Sequence, residues 1–192
     1  LIRTGRDPRD CSILDVGSGA GHWIDFWLDQ NVDSVTGIEI SDEAVNSLKI
    51  QYNDLDNVTI EHADIASGDV DLGEFDIVSA IGVMFHIVDD DRWEQAVSNI
   101  CEGLQAGGTG FIGGEFGRIT ANKQFHKTDE FESLEERVDD GEAELLVNKR
   151  LRSQRKWKKA IEGNNCQSVR TIETPVPDYI TTPENNVLIV QK

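Results

Sequence analysis

The sequence predicts an α/β domain of the doubly wound type, a mostly parallel sheet with helices on both faces. Three observations carry that expectation. Short apolar runs of strand character alternate with stretches of helical periodicity from Ser12 to Phe116. A glycine-rich turn, "GSGAG", joins the first run to the first helix. Two further strand-like runs close the chain with no helical pattern between them. Alternation of this kind buries a parallel sheet beneath its crossover helices.

The elements follow in order. "SILDV" (Ser12 to Val16) is a first strand, and His22 to Gln30 a helix. That helix pairs Trp23 with Trp27 and Ile24 with Leu28 at i, i+4, so both tryptophans are expected in the core. "SVTGIEI" (Ser34 to Ile40) is a second strand. Ser41 then caps a helix with acids in its first turn, where they complement the helix dipole. "VTIEHADI" (Val58 to Ile65) is a third strand, and Ala66 to Glu74 is loop. "FDIVSAIGV" (Phe75 to Val83) is apolar enough to be buried on both faces. The next helix carries Trp93, Val97, Ile100 and Leu104 on one stripe, and "AGG" is expected to end it before a fifth strand, Thr109 to Phe116. Gly117 to Leu151 holds one weak helical pattern, through Phe131, Leu134 and Val138. A last helix runs from the cap Ser153 to Glu162. "SVRTIET" and "NVLIVQK" then close the chain, and the link from Pro175 to Asn186 lacks the pattern of a crossover helix, so they should pair antiparallel.

The 192 residues suit a single domain, 1–192. Lys and Arg number 18 against 36 Asp and Glu, a formal charge of −18. Such a surface repels nucleic-acid phosphates and anionic membranes. The acids are spread over many segments, which we read as adaptation to high salt, where self-repulsion is screened. Thermal stability should therefore rise with KCl, and full stability in salt-free buffer would refute this. No apolar run approaches the ~18 residues of a membrane span. Cys11, Cys101 and Cys166 are scattered without metal-ligand spacing, so reduced thiols in a cytoplasmic protein and no metal site are expected. The sequence opens on Leu1 rather than Met, and a native N-terminal segment preceding it is expected. From Lys149 to Lys159 the chain holds Arg150, Arg152, Arg155, Lys156 and Lys158 and no acid. This stretch reads as a salt-bridged face, with an anion site as the rival.

In an open α/β sheet the ligand lies beyond the carboxyl ends of the strands, where the glycine turn sits. Glycines let the backbone approach a ligand at positive φ, and the N–H groups of the following helix start face it. Glu39 ends the second strand, where a carboxylate accepts from the hydroxyls of a ribose. A dinucleotide fingerprint would read G-x-G-x-x-G. From Gly17 its last glycine is replaced by His22, and from Gly19 by Ile24. Asp15, just before the turn, would repel a pyrophosphate and suits a cationic group.

With "LDVGSGAG", "GIEIS", "HADI", "FDIVSAIGVMFHI" and "LQAGGTGFI" in register from Ile13 to Phe116, the chain resembles the class I S-adenosylmethionine-dependent methyltransferases. The resemblance implies a Rossmann-like seven-stranded sheet whose last strand is antiparallel, and S-adenosyl-L-methionine as cofactor. It implies that Gly17, Gly19 and Gly21 underlie the methionine and ribose portions, with Ser18 where the family often has Cys. Asp15 would orient the methionyl ammonium and Glu39 the ribose diol. Ile40 would pack on the adenine, and Asp64, with the Ile65 backbone, would take its amino group. Ala80 and Ile81, with the strand end as far as Val83, would contact the methionine portion.

Methyl transfer from a sulfonium is an in-line displacement with a neutral leaving group, so positioning and desolvation can supply much of the catalysis. His86, a few residues beyond the fourth strand, is the candidate general base, with loop shaping as its bland alternative. Asp89, Asp90 and Asp91 read as a helix cap and first turn rather than as cation ligands. Residues 117–151, with His126, are the expected lid and substrate-recognition insertion. The acceptor is expected to be a small molecule. The rival readings are a non-catalytic S-adenosylmethionine-binding module and an NAD-dependent oxidoreductase, the latter disfavoured by the missing glycine and by Asp15.

Overall fold

Strand β1 (Ser12–Val16) alternates its side chains between two cores, and this sets the architecture. Ile13 faces a cluster with Ile24, Trp27, Val45 and Leu48. Leu14 faces the opposite one, with Trp93, Val97, Ile100, Trp157 and Ile161. The period-2 pattern of a strand thus places helices on both sides of one sheet. The computed structural model describes residues 7–115, 123–125, 149–173 and 185–192.

The remaining elements are α1 (His22–Asp29), β2 (Ser34–Glu39), α2 (Asp42–Gln51), β3 (Val58–His62), β4 (Phe75–Ile81), α3 (Asp90–Glu102) and β5 (Leu104–Glu115). They are followed by β6 (Lys123–Phe125), β7 (Lys149–Leu151), α4 (Gln154–Gly163), β8 (Gln167–Glu173) and β9 (Asn185–Gln191). A seven-stranded sheet runs β3-β2-β1-β4-β5-β9-β8. The first four pairings are parallel, and β9 runs antiparallel to both β5 and β8. The expected doubly wound, Rossmann-like sheet is therefore present. Its strand order reverses between β1 and β4, and a crevice opens at such a switch point. The predicted caps also hold: Ser41 accepts from Ala44 N, and Ser153 from Lys156 N.

Three expectations need correction. Helix α3 stops at Gly103, whose N–H bonds to Asn99 O, and "AGG" lies inside β5 rather than before it. Leu104 is fully buried and pairs with Phe75, so it begins the strand, and the pairing register then shifts toward Ile77. Gly107, at φ 79°, serves that irregularity, not a helix stop. Secondly, Trp27 is core but Trp23 is exposed, edge-on to Phe26, because the buried stripe of the short α1 runs through Ile24 and Trp27. Thirdly, β6 and β7 form a two-stranded antiparallel ribbon that no periodicity announced. His126 and the weak helix at Phe131, Leu134 and Val138 fall outside the described residues.

The acidic triplet and part of the basic stretch explain each other. Asp89 caps α3 by accepting from Arg92 N. Asp90 accepts from Arg150 Nη2 at 2.7 Å and Arg152 Nε at 3.1 Å, and Lys156 Nζ lies 2.8 Å away. Arg152 is 1% exposed, lies over the Trp93 ring and donates to the carbonyls of Val88 and Asp89. A buried guanidinium with its donors satisfied anchors β7 to the start of α3. Among the described residues no group of three possible metal ligands occurs, and no helix is long and apolar enough to cross a membrane. All three cysteines are buried.

Candidate functional site

A cavity of about 390 Å³ opens at the carboxyl ends of β1, β2 and β4, and Gly17, Glu39, Ile40, Asp64, His86 and Arg92 contribute to its wall. Its floor is the glycine turn. Gly17, Gly19 and Gly21 have φ of 68°, 55° and 85°, a region open to glycine at little cost. A Cβ on Gly17 would lie 2.5 Å from Val83 Cγ2, so the turn and the end of β4 close on each other. The N–H groups of Gly17 and Ser18 both bond to Ile38 O, which ties the turn to β2. Gly21 stands at the N-cap of α1, and the Tyr52 hydroxyl, 3.0 Å from Gly21 O, packs where its side chain would be.

Glu39 is the hub between these segments. Its Oε2 accepts from Gly19 N at 3.0 Å, and its Oε1 from Ile40 N at 2.8 Å and Ser41 N at 3.0 Å. The carboxylate is aimed by three backbone donors before any ligand arrives. His62, at the end of β3, pins the same turn: its Nε2 is 2.8 Å from Ile40 O, and its Nδ1 3.4 Å from Asp42 Oδ1. Ile40 is left 59% exposed at the cavity rim, a flat apolar surface beside polar groups.

Asp15 lies beneath the floor and is 1% exposed. Its Oδ1 accepts from Ser79 Oγ at 2.7 Å, and Ser79 Oγ accepts in turn from Trp27 Nε1 at 3.1 Å. Asp15 Oδ2 is buried with no hydrogen-bond partner. Burial pushes the carboxyl up to about 6, against the opposing hydrogen bond from Ser79 Oγ, while Ser18 Oγ donates to the Asp15 backbone carbonyl at 3.1 Å. An orphaned buried carboxylate oxygen at a switch point calls for a donor from a ligand.

At the other end, Asp64 Oδ1 accepts from Ala66 N at 2.9 Å, and Arg92 Nη2 lies 2.5 Å from Asp64 Oδ2. His86 ends a 3-10 turn, Met84–His86, and its ring is 4.3 Å from that of Phe85.

Gly17, Glu39, Ile40, Asp64, Ile65 and His86 thus share one cavity wall. Asp15, Ser18, Gly19 and Gly21 do not line that cavity themselves, although Gly19 N–H donates to Glu39, which does. Ala80 is fully buried and neither it nor Ile81 lines the cavity; the chain turns at Gly82, φ 80°, so Gly82 and Val83 line it instead. Sequence reasoning missed Arg92, His62 and Ser79. Arg92 carried a usable signal, because the first turn of a helix that follows a switch-point strand faces the crevice.

A family model described as a methyltransferase domain matches residues 13–108. No curated protein matches the chain. Among solved structures, an S-adenosylmethionine-dependent methyltransferase from Mesorhizobium loti aligns with a TM-score of 0.71 at 16% identity, covering 97% of this chain and 93% of that one. The 1,6-didemethyltoxoflavin-N1-methyltransferase of Burkholderia thailandensis, solved with its substrate and S-adenosylhomocysteine, aligns at 0.69 and 16%, covering 96% and 72%. The N-methyltransferase NodS of Bradyrhizobium japonicum, with S-adenosylhomocysteine, aligns at 0.64 and 12%, covering 95% and 78%. At these identities the likeness is one of fold.

Proposed function

The chain belongs to the methyltransferase-domain family, an enzyme with S-adenosylmethionine as its cofactor, and we propose that it methylates a small-molecule acceptor. The observation that carries our reading of the site is a set of three carboxylates, Glu39 and Asp64 on the cavity wall and Asp15 buried just before the glycine turn. Asp15, with its unpartnered Oδ2, suits an ammonium group. Glu39, fixed by three amides, suits a vicinal diol. Asp64 suits an amino donor. Taken in order they match the methionyl, ribose and adenine portions of the cofactor, and they would repel a pyrophosphate. The exposed Ile40 supplies an apolar face for a purine.

When bound, the cofactor supplies an electrophilic methyl group on a sulfonium. The rest falls to the chain. Gly17 and Val83 pack too closely to admit a side chain between them, which fixes the wall that would hold the methionine portion. His86, exposed on the cavity wall, takes the acceptor's proton where the nucleophile carries one. Residues 117–151, most of them outside the described residues, are the segment we assign to acceptor recognition, and the B. thailandensis likeness, solved with bound 1,6-didemethyltoxoflavin, supports a small acceptor.

Calorimetry in high salt with S-adenosylhomocysteine beside NAD tests the cofactor reading. Binding of the former and silence of the latter are expected, and binding of NAD alone would overturn it. A screen of metabolites for a methyl mass increment then identifies the acceptor and separates an enzyme from a binding module. On that acceptor His86→Ala should lower kcat about 100-fold with unchanged S-adenosylhomocysteine affinity. Near-normal turnover would remove His86 as base.

A further inference from the structure

We propose that Arg92 is a specificity-determining residue of the cofactor site, holding Asp64 as an acceptor so that the purine pocket takes a 6-amino purine and rejects a 6-oxo purine. The inference rests on the reading of Asp64 as the partner of the purine amino group. Its own basis is the geometry of the ion pair.

Arg92 is fixed at both ends. Its backbone N–H donates to Asp89 Oδ1 at 2.9 Å, which sets it in the first turn of α3. Its guanidinium reaches Asp64, beyond the end of β3, with Nη2 2.5 Å from Oδ2. Both residues line the cavity. The second Asp64 oxygen is occupied by Ala66 N–H at 2.9 Å. Donors therefore meet both oxygens of the carboxylate, one of them charged. This arrangement opposes rotation of the group.

The consequence for a purine is direct. Each carboxylate oxygen retains lone-pair capacity for an exocyclic N–H. A 6-oxo purine presents a carbonyl at the same place, and a carbonyl facing a carboxylate is repelled and left unpaired. Relief would require Asp64 to turn away, and Arg92 and the Ala66 N–H resist that. A site built around a specific hydrogen bond rejects the analogue that cannot make it more strongly than it rejects a change in bulk. Arg92 is half-exposed, its side chain at 55%, so its removal leaves the core untouched.

The experiment measures Kd for S-adenosylhomocysteine and for its deaminated analogue S-inosylhomocysteine, on wild type, Arg92→Ala, Arg92→Lys and Asp64→Asn. Wild type should prefer the adenosyl compound. Arg92→Ala should shrink that preference at least tenfold, chiefly by tolerating the inosyl compound, and Arg92→Lys should fall between because it restores charge without the fork. Asp64→Asn, whose amide can donate to a 6-oxo group, should shift the preference toward the inosyl compound. An Arg92→Ala variant that weakens both ligands equally, or neither, overturns the proposal. A wild type that binds S-adenosylhomocysteine but not selectively, with Asp64→Asn unchanged, also overturns it and removes Asp64 from the purine site. Binding of neither compound by wild type overturns it together with the cofactor reading.

Discussion

Glu39→Ala is expected to weaken S-adenosylhomocysteine binding about 100-fold or more, roughly 2.7 kcal/mol. Two losses combine. The diol loses its acceptor, and the turn that presents it loses its organiser, because Gly19 N, Ile40 N and Ser41 N all donate to that one carboxylate. The three amides lie at the site's surface, where water can replace the lost acceptor. The cost to folding should therefore stay near 1 kcal/mol, well under the penalty for burying donors without partners. Glu39→Gln makes a sharper comparison. Its amide oxygen can keep the bonds to Ile40 and Ser41, but its NH2 then faces the Gly19 N–H, donor against donor. Gln should bind more tightly than Ala and less tightly than wild type. Calorimetry beside thermal melts separates the losses: a Kd within threefold of wild type for Glu39→Ala would remove Glu39 from the ribose site.

The sequence made the sheet legible because its strands and helices differ in period. Ile13 and Leu14 are adjacent and face opposite cores, which only a strand between two helical layers allows. Ser41, Ser153 and Asp89 declared their helix starts because a cap is a local bond within a few residues. The start of β5 was hidden, since Leu104 satisfies a helical stripe and a strand equally well. The side-chain partners of Asp15 and Asp64 were hidden for a different reason. Ser79 and Arg92 are far from them along the chain, and a side-chain contact across a crossover leaves no periodic trace. The basic stretch illustrates the same limit. Its charge was visible, yet only the packing on Trp93 separates Arg152, buried and paired, from Arg155, which is exposed.

Asp15→Asn should change stability and binding in opposite directions, and both changes should follow pH. Burial raises the Asp15 carboxyl from its ordinary 3.8 to about 6, so between those values the folded chain holds a proton that the unfolded chain releases. Where the folded state binds more protons, stability falls as pH rises. Asp15 therefore destabilises the fold progressively from about pH 4 to pH 6, with the full effect, on the order of 3 kcal/mol, present above that window. Asparagine does not titrate. Its carbonyl can still accept from Ser79 Oγ, while its NH2 replaces the unpartnered Oδ2 with an unpartnered donor. Measured by denaturation at pH 5 and pH 8, the variant should gain about 1–1.5 kcal/mol on wild type between the two. Parallel stability curves would refute the buried charge. Binding should run the other way, because an ammonium group needs the charged carboxylate that folding disfavours. Wild-type affinity for S-adenosylhomocysteine should fall about tenfold per pH unit below 6. That of Asp15→Asn should be flat over the same range and at least tenfold weaker at pH 8. Equal affinities at pH 8 would mean that Asp15 is a structural residue and not the ammonium's partner. The expected pattern would instead make its burial a stability cost retained for binding.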